Sequence, residues 1–255
     1  QILEDAHHLR TKDIYLAGGG EPLMHPHFEE IIELIKKYGF ECTINTNFTL
    51  VDERLADRFI ELGVDYLVVS LWAATPEMYE LTHPNKPQEV FGRITEVLRY
   101  LTRKKQMKRP WVKIYNVISM INYRELPLMV DYAKEVGADA IEFTVVDIVA
   151  GRTDWLLLTV EAKEWLLKRC REIASQTHYN CYGKQIDLYK FDQFMNRLSH
   201  EGTVCGEYDR NVIDSLPCYV GWVFSRVMAN GNVTPCLKAH RLSVGNVYKL
   251  SLIHI

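Results

Sequence analysis

Asp13-Ile14-Tyr15-Leu16-Ala17-Gly18-Gly19-Gly20-Glu21-Pro22 is a short apolar run that stops in three glycines, a carboxylate and a proline. The run suits a strand, and helical period follows it from His27 to Tyr38, with Phe28, Ile31, Ile32, Leu34 and Ile35 on the apolar side. Three residues without Cβ make a strand-to-helix turn whose backbone can take φ > 0 and touch a ligand directly. A plain tight turn fits the same letters. Two phosphate loops do not: no third glycine follows Gly20 at the offset of a G-x-G-x-x-G fingerprint, and no Lys-Ser/Thr pair follows for a P-loop.

Outward from this stretch the same unit recurs. Gly39 stops the first helix, and Phe40 to Asn45 reads as a strand. Asp52 to Leu62 carries Leu55, Phe59 and Leu62 on one face, stops at Gly63, and is followed by the apolar strand Tyr66 to Leu71. Thr75-Pro76 supplies an N-cap and an N1 proline, the helix resumes from Glu89 to Leu101 after Pro84 and Pro87, and Val112 to Met120 is the next strand. Asn122-Tyr-Arg-Glu125 reads as a capping box, with a helix to Val136, a stop at Gly137 and a strand from Ala140 to Val146. Alternation of this kind predicts an α/β fold with a parallel sheet, and its continuous apolar strands predict burial on both faces. Barrel and open sheet remain alternatives at this point. In both, ligands gather at the carboxyl ends of the strands, where the glycines, Asn45, Asn47, Ser70, Asn116 and Ser119 fall.

The domain reading is residues 1–150 for the alternating unit, 151–210 for a helical connection with helices over Val160–Ala174 and Ile186–Leu198, and 211–249 for a small Cys-containing hairpin domain. Leu250 to Ile255 resembles a translated sequencing-library adapter and is left out of the fold reading. The chain opens at Gln1 within helical period and reads as a piece of a longer protein.

With 255 residues, 47% of them hydrophobic, the chain can bury one large core, and its net charge of −3 gives no polyanion-binding signature. Nucleic acid is therefore not an expected partner, and no apolar stretch is long enough to cross a membrane. The basic run Arg103 to Arg109 reads as a solvated helix end. His25 and His27, which flank Pro26, read as turn residues rather than a metal pair.

Six cysteines divide into two groups. Cys42 in a strand and Cys170 in a helix read as small buried hydrophobes, and Cys181 and Cys205 stay ambiguous. Cys218 and Cys236 differ, because Asn230-Gly231 is a hairpin turn that can bring the second thiolate back toward the first. Alone, the pair fits a zinc half-site, a disulfide or nothing, with disulfide lowest.

Gly19-Gly20-Glu21-Pro22 after one strand, Thr46-Asn47 after the next, Val69-Ser70-Leu71 after the third, and Cys218-x12-Gly231-x4-Cys236 together resemble a radical SAM enzyme with a SPASM-type auxiliary cluster domain. The resemblance implies a partial (β/α)6 TIM-like barrel missing its first strand, with S-adenosyl-L-methionine lying across the strand ends. Its Cys-x3-Cys-x2-Cys, which holds the catalytic 4Fe-4S cluster, would lie upstream of Gln1, so the piece itself is expected to be inactive. In the parent, reductive cleavage of S-adenosylmethionine would give a 5'-deoxyadenosyl radical that takes hydrogen from a peptide, protein or sugar-type substrate. An electron donor such as flavodoxin or ferredoxin and a cytoplasmic setting follow from the same resemblance.

Residue by residue, the resemblance gives Gly19, Gly20, Glu21 and Pro22 to the methionine amino end, chiefly through backbone carbonyls, and Ser70 to the ribose or carboxylate. Asn47 lies beside them. His83, or Lys86, stands where relatives carry an arginine that pairs with the carboxylate, and Phe48 replaces a common glycine. Cys218 and Cys236 would hold an auxiliary 4Fe-4S cluster, with the later cysteines of the set beyond residue 255. Two other classes compete: an iron-free barrel aldolase or lyase with a glycine-rich phosphate site and Lys113 or Glu142 as its reactive group, and a zinc-stabilised binding module using Cys218, Cys236 and His240.

Overall fold

The computed structural model describes residues 1–105, 109–209, 218–237, 239 and 241–254. Helix α1 (Ile2–His8) leads into strand β1 (Asp13–Leu16), and strands alternate with helices from there: α2 (Phe28–Lys37), β2 (Glu41–Thr46), α3 (Glu53–Glu61), β3 (Tyr66–Ser70), α4 (Pro76–Thr82) and α5 (Gln88–Lys105). Then follow β4 (Trp111–Ile118), α6 (Leu126–Glu135), β5 (Ala140–Val145), α7 (Val160–Ala174), β6 (Asp187–Tyr189) and α8 (Phe191–Ser199). All six strands are parallel and pair in sequence order, β1 to β6. Sequential order means that the sheet winds in one direction with no switch point, so the fold is a partial barrel rather than a doubly wound sheet.

The sheet has one strand more than the five legible in the sequence. β6 lies inside the stretch expected to be helical, and Ala140, Ile141 and Glu142 pair with Asp187, Leu188 and Tyr189. Within the basic run, Arg103 and Lys104 are exposed in the last turn of α5, as expected of a solvated helix end, whereas Lys105 is buried against Asp139; Lys104 pairs with Asp57 and Arg109 with Asp65, and 106–108 lie outside the described residues. The expected boundary at 210–211 and His240 also fall outside them.

Burial along β4 alternates, with Val112, Ile114, Asn116 and Ile118 buried toward the helices and Trp111, Lys113, Tyr115 and Val117 half-buried toward the barrel interior. The core therefore lies between sheet and helices, where Ile44, Leu67, Val69, Ile114 and Ile141 meet Ile32, Phe59, Ile94, Leu98 and Ala133. Glycine stops and side-chain caps set the helix ends. Gly39, Gly63 and Gly137 take φ of 82°, 68° and 74°. Asp52, Thr75 and Thr159 accept from the backbone N–H groups of Leu55, Met78 and Ala162.

Two helix-to-strand joints repeat one device. After Gly63-Val64, the Asp65 carboxylate accepts from the backbone of Cys42 at 2.8 Å and from Lys36 at 2.5 Å. After Gly137-Ala138, the Asp139 carboxylate accepts from the backbone of Val112 at 2.7 Å, from Lys105 at 2.7 Å and from Lys184 at 2.6 Å. Each aspartate fastens the foot of its own strand to the foot of the strand before it, which leaves the carboxyl ends free to carry loops.

Beyond the barrel, α9 (Val220–Val223) precedes a three-stranded antiparallel sheet of β7 (Arg226–Val227), β8 (Asn232–Thr234) and β9 (Gly245–Asn246). Gly231, at φ 79°, makes the β7–β8 turn expected from Asn230-Gly231. The last turn docks on α1, where buried Asp5 accepts from the Ser251 hydroxyl at 2.7 Å and the Leu252 backbone at 2.8 Å.

Candidate functional site

At the carboxyl edge of the sheet, β1 runs into an exposed turn at Gly18, Gly19 and Gly20. Positive φ is not the reason for these glycines, since none of the three takes it. A Cβ at Gly19 or Gly20 would meet nothing within 4 Å, so the space before them is open on the strand-end side. Their N–H and C=O groups make no hydrogen bonds with the described residues. The turn is thus held by what comes next. Glu21 accepts from the Leu23 backbone at 3.2 Å, from the Thr46 hydroxyl at 2.7 Å and from the Asn47 backbone at 2.7 Å. Pro22 then opens a single turn of 3-10 helix.

Glu21 therefore uses its side chain to tie the β1 end to the β2 end. Thr46 returns an acceptor to the Phe48 backbone at 2.9 Å. Asn47 accepts from the Thr49 backbone at 2.9 Å and its hydroxyl at 2.7 Å. Phe48, in the place of a glycine, is fully buried with φ 62°, a conformation that costs a non-glycine residue and persists because the surroundings impose it.

On the next strand, the Ser70 hydroxyl donates to Asn45 Oδ1 at 3.1 Å, so the two strand-end polar residues sit side by side. The loop after Ser70 is fastened from the β4 side. Asn116 accepts from the Trp72 backbone at 3.0 Å, Asn122 donates to the Trp72 carbonyl at 2.8 Å, and Glu125 accepts from the Ala74 backbone at 2.8 Å and the Thr75 hydroxyl at 2.6 Å. Trp72 is held at φ 61°. Asn122 and Glu125 are thus no capping box: Asn122 accepts from the Ser119 backbone instead, and Glu125 reaches across to the neighbouring loop. Sequence reading missed this brace because the N-x-x-E spacing serves both purposes and only the partner strand decides between them.

His83 ends α4, stacked on Tyr79 at 4.2 Å between centroids and beside Trp72 at 5.4 Å. Burial pulls its pKa below the usual histidine value. Lys86, its alternative, is exposed one turn on.

Inside the barrel Lys113 and Glu142 form an ion pair, with the Lys113 ammonium 4.1 Å over the Tyr189 ring. Both lie early in their strands rather than at the carboxyl ends, so the reactive pair sought for an iron-free aldolase is a mutually neutralised girdle below the site. Burial, then the Glu142 charge, raises the Tyr15 phenol to about 12.

Cys218 is exposed and Cys236 half-buried; the Cys236 sulfur accepts from the Ala239 backbone at 3.2 Å. No group of three or more His, Cys, Asp or Glu side chains poised for a metal occurs among the described residues. Cys42 and Cys170 are buried, as expected, with thiols raised by burial to about 11 and about 12.

Comparison with known proteins agrees with this architecture. The model of the Radical SAM superfamily matches residues 1–145. The chain is 30% identical over 147 residues to the tungsten-containing aldehyde ferredoxin oxidoreductase cofactor-modifying protein of Pyrococcus furiosus, covering 55% of this chain and 40% of that protein. It is also 30% identical over 129 residues to a probable GTP 3',8-cyclase of Methanocaldococcus jannaschii, covering 49% and 41%. The chain thus spans about two fifths of the length of these relatives. Among solved structures, Streptococcus suis SuiB bound to S-adenosylmethionine superposes with a TM-score of 0.66 at 16% identity, over 99% of this chain and 56% of that one. The enzyme anSMEcpe with bound AdoMet gives 0.63 at 17%, over 98% and 68%. Members of the matched family use S-adenosylmethionine with a 4Fe-4S cluster, and a domain match over more than half of the sequence places the chain in the radical SAM superfamily.

Proposed function

We propose that this chain supplies the S-adenosylmethionine-holding face of a radical SAM enzyme that modifies a peptide or a small molecule. The carrying observation is the pairing of a fully engaged Glu21 with an unengaged glycine turn: the carboxylate fixes the turn to β2, the Gly18–Gly20 carbonyls accept no hydrogen bond from the described residues, and the space a Cβ would take at Gly19 and Gly20 is open for a donor such as the cofactor's ammonium. Asn45 at the β2 end and Ser70 at the β3 end offer an amide and a hydroxyl, one and two strands further on. Bound to its cluster, the cofactor supplies a carbon radical that removes hydrogen from substrate. The chain's own part is to orient it and exclude water.

Solved relatives in fold hold peptides, SuiB its precursor peptide SuiA and anSMEcpe a Cp18Cys peptide, which favours a peptide over a sugar here. An electron donor of flavodoxin or ferredoxin type belongs to the same reading. Cys218 and Cys236 are assigned to an auxiliary 4Fe-4S cluster of SPASM type. The Cys236 sulfur already accepts a backbone N–H across a turn, the kind of contact that stabilises a metal-bound thiolate. No helix among the described residues is long and apolar enough to cross a membrane.

Calorimetry of the chain against S-adenosylhomocysteine tests the cofactor reading. We expect a dissociation constant on the order of 0.1–1 mM without the cluster, weakened further by Ser70→Ala. No binding at several millimolar would sink it.

A further inference from the structure

The barrel has a second opening, at the amino ends of its strands. A cavity of about 780 Å³ lies there, below the Lys113–Glu142 girdle and within the size range of small-molecule sites. Its wall is aromatic: Tyr66, Trp111 and Tyr189 follow one another edge to face, with ring centroids 5.9 and 5.8 Å apart, and Tyr15 adds a fourth ring from β1. Thr43 stands between Tyr15 and Tyr66 in the strand register. It lines the cavity at 9% exposure, and its hydroxyl has no partner among the described residues. An enclosed hydroxyl left in that state costs free energy that a ligand able to bond it would return.

Charge at this mouth is one-sided. Each described cation that lines the cavity already has an acid: Arg109 pairs with Asp65, Lys184 with Asp139 and Lys113 with Glu142. Asp13, Glu41 and Asp187 are the first residues of β1, β2 and β6, and they make no ion pair or side-chain hydrogen bond among the described residues. Asp13 and Glu41 are direct cross-strand neighbours, and like charges so opposed destabilise a sheet. A cation between them would relieve that repulsion. The acids do not converge on one point, since no three His, Cys, Asp or Glu side chains among the described residues are placed to share a metal ion. The rings suit an organic cation, and the cavity already shows the contact: the Lys113 ammonium lies 4.1 Å over the Tyr189 ring.

We propose that the amino-end cavity binds a linear aliphatic polyamine, with one ammonium at Asp13 and Glu41, another at Asp187, and the methylene chain along the Tyr66–Trp111–Tyr189 wall. Amines of this kind are fully charged at neutral pH, as a lysine is. The spacing of the acids selects a ligand with separated charges, and the Thr43 hydroxyl accepts from one of its N–H groups. This site is separate from the carboxyl-end face and does not depend on the cofactor reading.

Calorimetry of the chain against spermidine at low ionic strength tests it. We expect one site with a dissociation constant on the order of 10–100 μM. Nα-acetyl-lysine amide, which carries a single ammonium as a lysine side chain of a peptide would, should bind at least about 10-fold more weakly. The double variant Asp13→Asn, Glu41→Gln should weaken spermidine by about 10-fold and keep or raise the melting temperature, because the opposed carboxylates are gone. Thr43→Val, which removes only the hydroxyl, should weaken it by about 3-fold. Absence of binding at about 5 mM spermidine would overturn the proposal. So would displacement of spermidine by equimolar magnesium ion, or undiminished affinity in the double variant, either of which would mean attraction to acidic surface alone. Equal affinity for Nα-acetyl-lysine amide would replace the polyamine with a single ammonium and overturn the assignment of Asp187.

Discussion

Glu21 and Gly20 are neighbours in one motif, and the structure gives them opposite sensitivities. Glu21 is half-buried and accepts three hydrogen bonds that join two strand ends, so Glu21→Ala orphans the Asn47 N–H and the Thr46 hydroxyl and should cost about 1–3 kcal/mol of stability. Gly20 has open space before it and no positive φ, so Gly20→Ala should change stability by about 0.5 kcal/mol or less while weakening S-adenosylhomocysteine binding, because its Cβ fills the room a ligand needs. Urea unfolding and calorimetry on the two variants separate the effects. A Gly20→Ala chain that binds normally would remove the turn from the site. From sequence, the glycines and the carboxylate were legible as a candidate site but not in their division of labour. Three glycines announce absent side chains, whereas the partner of a carboxylate 25 residues away in sequence depends on how β1 and β2 pair.

At the scale of elements, the aspartate joints decide where stability resides. Lys105 and Asp139 are each 2% exposed, so Asp139→Asn removes the counter-charge of a buried ammonium and should cost about 3–5 kcal/mol at neutral pH. The sign with pH follows from Lys105. Burial already draws its pKa below the ordinary lysine value, against the pull of Asp139. Without that carboxylate it falls further, and a folded pKa below the unfolded value of about 10.4 makes the charged form a burden at low pH that lifts as pH rises through the folded value. Destabilisation by Asp139→Asn should therefore shrink between about pH 7 and pH 9.5 in chemical denaturation. Equal losses at both would show that Lys105 stays charged or solvated. Gly63-Val-Asp and Gly137-Ala-Asp are visible as helix stops in the sequence, and five of the six strands follow from apolar runs between such stops. β6 does not, because three residues in front of an amphipathic helix carry no period of their own, and only the open edge of β5 makes them a strand. The burial of Lys105 within the basic run was hidden for a related reason: charge density alone cannot show that one of its cations meets an acid on a neighbouring element.

Two cysteines report on the molecule as a whole. Cys42 lies in β2 and Cys170 in α7, the one near the β1 side of the sheet and the other packed on its far side, and both are fully buried. Burial raises their thiols to about 11 and about 12, so near pH 8 the reactive thiolate is roughly 10³-fold rarer than the thiol at Cys42 and rarer still at Cys170. Cys181, Cys205 and Cys218 are exposed. The segment from α9 to just past β9 leaves Trp222, Val223, Leu242 and Tyr248 exposed and should open without disturbing the barrel. Maleimide labelling of the native chain should thus mark Cys181, Cys205 and Cys218 within minutes and leave Cys42 and Cys170 untouched. On titration with urea the last two should become reactive together, because one continuous core of sheet and helices encloses both. Should Cys170 label at much lower urea than Cys42, then β5, α7 and the short β6 would form a separately opening unit, and the six strands would not be one cooperative barrel.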